Sequence, residues 1–220
     1  MKNNLLIIIP IKKLENVKSR LSEILTLEDR ITLTNFLLYE LIDKLINIKI
    51  NNKFIKIEIA IVTQNKIIES FANRNKIKII NDFGTNSLSG SIKHASEWAL
   101  ENQFKSLCII LGDLANPEIR DIVQFINPPF LANEMRICPS YDYGTNALFL
   151  SPPNAIKFSY GRKSFYKHYI SAIKSKLKIS ILPMKSIRND IDNSKNLTEF
   201  LSKEKHLQFF DQNHLKILSK

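Results

Sequence analysis

The sequence contains few of the residues that interrupt regular structure or cross-link a chain. Among 220 residues it has 5 glycines, 8 prolines and 2 cysteines. Both cysteines, Cys108 and Cys138, lie in apolar stretches, which excludes a disulfide framework and favours buried thiols in a reducing cytoplasm. No apolar run approaches the roughly 18 residues that span a bilayer, and the first ten residues favour a first strand over a signal peptide. We therefore expect a cytoplasmic protein with no membrane partner.

The composition is that of an ordinary folded protein, with 44% hydrophobic and 24% charged residues. The length predicts a single domain over residues 1–220. Residues 205–220 are rich in phenylalanine, histidine and lysine, and we expect a helical tail there, to which the pattern assigns no role.

The net charge of +11 is concentrated in the last third of the chain, where residues 151–220 carry 14 basic and 5 acidic side chains. This excess suggests phosphate-bearing partners, whether nucleic acid, nucleotides or phosphorylated metabolites. A solvated lysine-rich face explains it equally well, because the whole chain favours lysine, isoleucine and asparagine. Charge alone does not choose between these interpretations.

The apolar pattern alternates between strands and helices. Strands are predicted at residues 5–9, 55–62, 77–80, 107–111, 135–139, 147–150 and 179–182. Helices are predicted at residues 29–46, 66–73, 91–101, 117–126 and 163–176. This alternation indicates an α/β three-layer sandwich with a mostly parallel central sheet, in which ligands bind beyond the carboxyl ends of the strands.

The loop after the first predicted strand is strongly basic. It contains Lys12, Lys13, Lys18 and Arg20, with the hydroxyl of Ser19 between the last two. Lysine and arginine at this position can hold a polyphosphate, although the loop has no glycine and is not a Walker A loop. A solvated turn that leads into a helix is an equally good interpretation.

Two acidic motifs are candidate metal ligands. Asp113 follows the buried strand 107–111, where one carboxylate can hold Mg²⁺ together with substrate phosphates. Taken alone, Asp113 is better explained as the N-cap of the helix that starts near Pro117. Asp190 and Asp192 point the same way in an extended segment, so one can reach a site while the other braces a neighbour. Taken alone, the Asp190–Asp192 motif is also weak evidence for a metal site.

Two further segments combine glycine, hydroxyl groups and backbone donors, at residues 139–148 and 158–168. Each can bind an anion, and the second resembles a turn into a helix N-terminus. His168 lies one turn beyond Ser164, and a single helical histidine is more often structural than catalytic. The sequence has no zinc-spaced cluster and no evident Ser-His-Asp set.

Together and in this order, these motifs resemble the 2-phospho-L-lactate guanylyltransferase family of coenzyme F-420 biosynthesis, over roughly residues 5–203. The matching segments are Ile9-Pro10-Ile11-Lys12, Lys18-Ser19-Arg20-Leu21, Gly112-Asp113-Leu114, Gly144-Thr145-Asn146-Ala147-Leu148, residues 158–168 and Asp190-Ile191-Asp192. The resemblance implies a GT-A-like nucleotidyltransferase fold, related to enzymes that activate sugars and the molybdopterin cofactor. The chain departs from the family at Ser87-Leu88-Ser89, where Gly-Leu-Asn is usual, and at Ala115, where proline is usual.

The resemblance also implies a role for each site residue. The GTP triphosphate would be held by Lys12, Lys18, Ser19 and Arg20, of which Lys12 and Arg20 would also act in catalysis. Thr63 and Asp82 would lie near the base or ribose. Asp113 and Asp192 would coordinate Mg²⁺ and act in catalysis. The phosphorylated three-carbon acid would be bound by Thr145, Asn146, Gly161 and Ser164.

The resemblance implies that GTP condenses with 2-phospho-L-lactate to give a guanosine diphospho-lactate-type product and pyrophosphate. Phosphoenolpyruvate and 3-phosphoglycerate are alternative acceptors, because they carry the same two acidic groups. Two other classes stay open: a nucleic-acid-binding protein that uses the basic C-terminal half, and a relative that binds nucleotide without turnover. We favour the enzyme, with no nucleic-acid partner. A homodimer is one option, as is hand-off of the product to the next transferase.

Overall fold

The structure is a computed structural model that describes residues 3–11, 18–82 and 87–202. The strands are β1 (Asn3–Pro10), β2 (Ile55–Thr63), β3 (Lys78–Asn81), β4 (Ser106–Ile110), β5 (Glu134–Pro139), β6 (Thr145–Ser151) and β7 (Lys178–Ile181). The helices are α1 (Leu27–Asn51), α2 (Lys66–Arg74), α3 (Leu88–Glu101), α4 (Ile119–Phe125), α5 (Ser164–Lys174) and α6 (Ser194–Leu201), and a 3₁₀ helix spans Ser19–Leu21. Each strand and helix predicted within these residues is present, and α6 was not predicted. The helical tail expected at residues 205–220 lies outside the described residues.

The strands form one sheet in the order β3-β2-β1-β4-β6-β5-β7. Strand β6 runs antiparallel to both of its neighbours, and the other pairs are parallel. The carboxyl ends of β1, β2, β3 and β4 therefore meet at one edge of the sheet. The predicted mostly parallel sheet is confirmed.

Two hydrophobic layers cover the faces of the sheet. Alternate residues of β1 point to opposite sides, so that Leu5 and Ile7 pack with α1, α2 and α4, while Leu6 and Ile8 pack with α3 and α5. The predicted three-layer sandwich is confirmed. Within the described residues, no helix has the length and apolar character needed to cross a membrane.

A third apolar cluster lies beside the sheet edge rather than over its face. It joins Leu21 of the 3₁₀ helix, Leu37 of α1, Ile191, and Leu197 of α6. Leu21, Ile191 and Leu197 are fully buried. Burial of side chains of this size contributes about 1.5–3 kcal/mol each, so this cluster firmly holds the end of the basic loop against the segment that contains Asp190 and Asp192.

An irregularity in the β5–β6 pairing changes the direction of two side chains. Two consecutive residues of β5 pair with Ala147 and Thr145 of β6, so β6 carries one extra residue, Asn146. Ala147 faces α1, and strict alternation would turn Asn146 towards α5. Instead the Asn146 side chain donates to the carbonyl of Ile187, and Thr145 contacts His168 of α5. The bulge thus exchanges the layers towards which these two side chains point.

The segment before Asp190 is anchored to α4 by side-chain hydrogen bonds. The Asp121 carboxylate accepts from the backbone N–H of Ser186 at 3.0 Å and from its hydroxyl at 2.8 Å. The Ser186 oxygen accepts in turn from the N–H of Glu118 at 2.9 Å. Burial opposes ionisation of Asp121, but the hydrogen bonds from Ser186 and the charge of Arg120 lower its pKa. The ionised carboxylate is therefore part of the anchor.

Replacing Asp121 should loosen this anchor. We expect Asp121→Ala to lower the free energy of unfolding by about 1–3 kcal/mol, because it leaves the Ser186 N–H without its partner. Since the folded-state pKa of Asp121 is lowered, its contribution is present near neutral pH and is lost as the pH falls through that pKa. Chemical denaturation at pH 7 and at low pH measures both effects. The control Asp43→Ala, at an exposed position of α1, should change stability by less than about 0.5 kcal/mol. Equal losses in the two variants would contradict the anchor.

Candidate active site

The acidic side chains meet because their backbones pair across the end of β4. Leu114 and Asp190 form an isolated antiparallel bridge. The N–H of Ala115 donates to the carbonyl of Asn189 at 2.8 Å, and the N–H of Ile191 donates to the carbonyl of Asp113 at 3.3 Å. Asp113 and the Asp190–Asp192 segment, which are far apart in sequence, therefore lie side by side.

Gly112 allows the turn before Asp113 to lie close to β1. A Cβ atom at this position would lie 2.6 Å from Cδ1 of Ile11 and 3.2 Å from Cγ2 of Ile9. The predicted alternative, that Asp113 caps the following helix, is wrong: α4 begins at Ile119 and has Glu118 at its N-cap. The Asp113 carboxylate is thus available for another role.

The carboxylates repel one another. Burial, followed by the charges of Asp113 and Asp192, raises the pKa of Asp190 to about 7. Burial and the charge of Asp113 also raise the pKa of Asp192, and the positive charges of Lys18 and Arg20 oppose this rise. A cluster of this kind, with perturbed titration in a half-buried setting, is typical of functional sites.

Two cations of the basic loop reach this cluster. The Lys18 Nζ atom donates to the carbonyl of Ile191 at 2.7 Å, and Nη1 of Arg20 lies 3.1 Å from Oδ2 of Asp192. Ser19 lies between them in sequence and is exposed at the start of the 3₁₀ helix. Lys12 and Lys13 lie outside the described residues. The described end of the loop forms a helical turn and places Lys18 and Arg20 beside the carboxylates, and the binding of a polyphosphate stays a prediction.

The carboxylate set suits a magnesium ion that is also bound by substrate. Oδ1 of Asp113 is buried and has no hydrogen-bond partner, although a buried carboxylate oxygen normally has one. Over residues 3–11, 18–82 and 87–202, no group of three or more histidine, cysteine or acidic side chains is arranged as a ready metal site. Mg²⁺ commonly takes one or two carboxylates and completes its shell with phosphates and water, so Asp113 and Asp192 fit it.

A buried polar cluster lies next to the carboxylates. The Thr145 Oγ1 atom lies 3.0 Å from Nδ1 of His168 and accepts from the Ser164 hydroxyl at 3.1 Å. All three residues are at most 2% exposed. Thr145 directly precedes Asn146, whose carbonyl accepts from the N–H of Leu111 at the end of β4. The Thr145 hydroxyl, at the start of β6, and Asp113, just beyond the end of β4, therefore lie at the same edge of the sheet.

Gly161 lies in the turn that leads into α5, as the sequence predicts. Its φ of +111° is a conformation that side chains disfavour, and a Cβ there would meet nothing within 4 Å. Its carbonyl accepts from the N–H of Ser164 at 3.0 Å. The requirement for glycine at this position is therefore one of backbone conformation rather than of space.

Thr63 and Asp82 lie at a separate corner, at the ends of β2 and β3. The Thr63 hydroxyl accepts from the N–H of Asn65 at 3.1 Å. The Asp82 carboxylate accepts from the Ser91 hydroxyl of α3, and its carbonyl accepts from the Gln64 side chain. Strand β1 separates this corner from β4 and Asp113 in the order of the sheet.

Three ionisable side chains at this edge, Asp142, His168 and Asp190, have no defined role that follows from the sequence. The spacing alone leaves open which of Asp190 and Asp192 reaches the site, and burial with the charges of Asp113 and Asp192 raises the pKa of Asp190 to about 7. Asp142 adds negative charge next to Asp190 and Asp192, and it accepts from the Ser140 hydroxyl and the Gly144 N–H. His168 was classed as structural. The Asp190-Ile191-Asp192 spacing was the available signal for Asp190, but no local pattern marks the other two.

Solved structures with the same fold are nucleotidyltransferases and related transferases. A nucleotide-diphospho-sugar transferase from Desulfovibrio desulfuricans G20 superimposes with a TM-score of 0.72 at 16% identity, over 100% of this chain and 95% of that one. A nucleotidyl transferase from Methanothermobacter gives a TM-score of 0.63 at 8% identity, over 94% and 98% of the two chains. The fold of this chain is therefore that of nucleotide-diphospho-sugar transferases and nucleotidyltransferases.

The sequence places the chain within that class. The model of the CofC-like guanylyl transferase family matches residues 5–218, and the chain belongs to this family. The 2-phospho-L-lactate guanylyltransferase of Methanocaldococcus vulcanius is 31% identical over 91% of this chain and 86% of its own length. The phosphoenolpyruvate guanylyltransferase of Sphaerobacter thermophilus is 27% identical over 87% of this chain and 90% of its own length. A 3-phospho-D-glycerate guanylyltransferase of Colwellia psychrerythraea is 31% identical over 48% of this chain and half of its own length.

The repulsion between the carboxylates should be measurable as a loss of stability. The raised folded-state pKa of Asp190 means that its contribution to stability is greatest below the ordinary aspartate pKa of about 3.9 and falls as the pH rises towards about 7. In EDTA at pH 8, we expect Asp113→Asn to raise the free energy of unfolding by on the order of 1 kcal/mol, because it removes one of the repelling charges. Chemical denaturation measures this change.

The exposed variant Asp43→Asn is the control for that measurement and should have little effect. Millimolar Mg²⁺ should stabilise the wild-type protein more than Asp113→Asn. A destabilised Asp113→Asn protein, or equal stabilisation of both proteins by Mg²⁺, would contradict the repulsive cluster.

Proposed function

We propose that this guanylyltransferase transfers the guanylyl group of GTP to the phosphate of 2-phospho-L-lactate, with release of pyrophosphate. The observation that carries the proposal is the convergence of three groups at one edge of the sheet. These are the cations Lys18 and Arg20, the carboxylates around Asp113, and the hydroxyl groups of Thr145 and Ser164. The family, and the match to a phospholactate enzyme over 91% of this chain and 86% of that enzyme, support the same assignment.

Electrostatic repulsion is the main obstacle to this reaction. A triphosphate must meet an acid that carries both a phosphate and a carboxylate. Each pair of unit charges 4 Å apart costs about 1 kcal/mol in water and about 4 kcal/mol at an effective dielectric constant of 20. Lys18 and Arg20 lie where they can offset this repulsion, and we assign them, with Lys12 and Ser19, to the triphosphate. The Arg20 side chain is 70% exposed and can turn from Asp192 to a phosphate.

The chemical step needs little from the protein beyond position and charge. The phosphate of the acceptor is already an anion at neutral pH, so its oxygen can attack the α-phosphorus of GTP without a general base. Catalysis of this kind depends on holding the two substrates in line and on stabilising charge at the transferred phosphate. We assign that stabilisation to Lys12 and Arg20.

Asp113 and Asp192 are the residues that we assign to Mg²⁺. When bound there, the ion would supply positive charge to the phosphate oxygens of both substrates. The unpartnered Oδ1 of Asp113 supports this assignment. A similar structure, glucosyl-3-phosphoglycerate synthase from Mycobacterium tuberculosis, was solved with Mn²⁺ and UDP, at a TM-score of 0.57 and 8% identity.

The acceptor acid is assigned to the other end of the site. Thr145, Gly161 and Ser164 offer two hydroxyl groups and a glycine turn next to the carboxylates. The Asn146 amide holds the backbone of Ile187, so we expect it to shape this part of the site rather than to contact the acid through that group. Thr63 and Asp82 are assigned to the base or ribose of GTP.

Phosphoenolpyruvate and 3-phosphoglycerate are the alternative acceptors. Relatives named for each of these acids match this chain, and all three acids combine one phosphate with one carboxylate. A role in coenzyme F-420 synthesis in the cytoplasm, with a homodimer and hand-off to the next transferase, stays a prediction.

Pyrophosphate release tests the proposal. With GTP and Mg²⁺, we expect turnover with 2-phospho-L-lactate at a higher kcat/KM than with phosphoenolpyruvate or 3-phosphoglycerate, and little turnover with ATP. Asp113→Asn should lose at least about 100-fold in kcat, the size of effect seen when one preorganised charge contact is removed. Turnover with none of the three acids would defeat the function. Salt-sensitive binding of RNA or DNA by a protein that does not turn over would favour the nucleic-acid alternative.

Arg20→Leu separates binding of substrate from folding. The Arg20–Asp192 ion pair is exposed and contributes less than about 1 kcal/mol to stability, so the melting temperature should change little. The kcat/KM for GTP should fall about 100-fold or more, because a charge that faces the transferred phosphate is lost. Steady-state kinetics and thermal denaturation measure the two effects, with Arg74→Leu in exposed α2 as control. A variant that loses stability and activity together, or that keeps full activity, would contradict this role.

A further inference from the structure

His168 uses both of its ring nitrogens inside the protein. It is fully buried on the inner face of α5. Its Nε2 atom lies 3.0 Å from the backbone nitrogen of Ser159, and its Nδ1 atom lies 3.0 Å from Oγ1 of Thr145. The ring therefore connects the turn around Gly161 with the start of β6, the two segments assigned above to the acid.

The backbone fixes which nitrogen carries the hydrogen. A backbone N–H can only donate, so the Nε2 atom that faces Ser159 must accept. The hydrogen of the neutral ring is then on Nδ1 and is donated to Thr145. Burial, with a smaller effect of the Lys167 charge, lowers the pKa of His168 to about 4, which agrees with a neutral ring in this position.

Because Nδ1 donates to the hydroxyl pair, the pair has a hydrogen left to donate elsewhere. Nδ1–H and the two hydroxyl groups of Thr145 and Ser164 supply three hydrogens, and the cluster contains two contacts, His168–Thr145 and Thr145–Ser164. Whichever hydroxyl donates to the other, one hydroxyl hydrogen is left over. In the part of the chain that the structure describes, neither hydroxyl donates to any further acceptor. The pair is thus prepared to donate one hydrogen bond to a ligand.

The position of the Thr145–Ser164 pair indicates which ligand accepts this hydrogen bond. Thr145 lies beside the end of β4, and the preceding turn contains Asp142, whose charge acts on Asp190 and Asp192. A hydroxyl with a hydrogen that has no acceptor in the protein matches an anionic oxygen. In this site, the anionic oxygens belong to the carboxylate or the phosphate of the acid.

We propose that His168 is a positioning residue for the acid substrate: through its Nδ1–H it makes the Thr145–Ser164 pair a hydrogen-bond donor to an anionic oxygen of the acid. Its second contact, with the Ser159 N–H, holds the Gly161 turn in register with that donor. The inference rests on the proposed function. It assigns no chemical step to the imidazole, which does not touch either substrate.

The test compares the Michaelis constants of the two substrates. Asparagine at position 168 can keep an amide donor near Thr145, whereas glutamine can reach the Ser159 N–H but removes that donor. We expect His168→Gln to raise the KM for the acid about 10- to 100-fold, the range for a hydrogen bond to a charged group. The KM for GTP should change less than twofold, and His168→Asn should recover a large part of the loss. The exposed helical histidine variant His94→Gln is the control.

A double-mutant cycle keeps the test informative if substitutions of His168 also lower the stability of the protein. Thr145→Val removes the hydroxyl that His168 orients, so His168→Gln should add little to the KM for the acid in that background. An acid analogue with an amide in place of the carboxylate distinguishes the two anionic groups. If the effect of His168→Gln disappears with this analogue, the donor meets the carboxylate; if the effect persists, the donor meets the phosphate.

The ring nitrogens provide a readout that does not depend on turnover. Nitrogen-15 spectra of the wild-type protein should show the Nδ1–H form of His168 without titration between pH 5.5 and 8. The proposal is overturned if the hydrogen is on Nε2, if His168→Gln raises both Michaelis constants equally, or if it leaves the KM for the acid unchanged in a folded protein. Failure of the proposed function is distinct from these results, because it appears as a wild-type protein that turns over none of the acids.

Discussion

The structure depends on a close approach of like charges at the carboxyl edge of the sheet. Backbone hydrogen bonds between the turn at Asp113 and residues 189–191 bring three carboxylates together, and burial, followed by the charges of Asp113 and Asp192, raises the pKa of Asp190. The apolar cluster around Leu21, Ile191 and Leu197 offsets this cost through burial. The fold thus maintains an arrangement that would be unfavourable for isolated side chains, as is common where a site must bind charged ligands.

The two ends of the site are built in different ways. Lys18 and Arg20 are held by one backbone carbonyl and one exposed ion pair, so their side chains can exchange these contacts for phosphate oxygens. Thr145, Ser164 and His168 are buried and hydrogen-bonded to one another, so their geometry is fixed before any ligand arrives. The proposed reaction uses this difference, because a flexible triphosphate tolerates adaptable partners while a small acid needs a rigid one.

The elements of the fold could be predicted because their signals are local. Buried strands such as β4 are continuous apolar runs, and the α1 helix has an apolar stripe. Helix α6 has only eight residues, and its signal, Leu197, Phe200 and Leu201 after the N-cap Asn193, is short. The pairing of Asp113 with the Asp190 segment and the contact of His168 with Thr145 join residues far apart in sequence. The resemblance to a family identified most of these residues, but not their contacts, because only the folded chain brings them together.

The extra residue in β6 has a consequence for the site. Thr145 faces α5, and Asn146 faces the opposite layer, only because the strand holds one residue more than its partner. In a regular strand of the same sequence, with Ala147 on its present side, Asn146 would point towards α5 and Thr145 away from it. The chemistry at this edge therefore depends on the β-bulge as well as on residue type, because the bulge decides which of two neighbouring polar side chains faces His168.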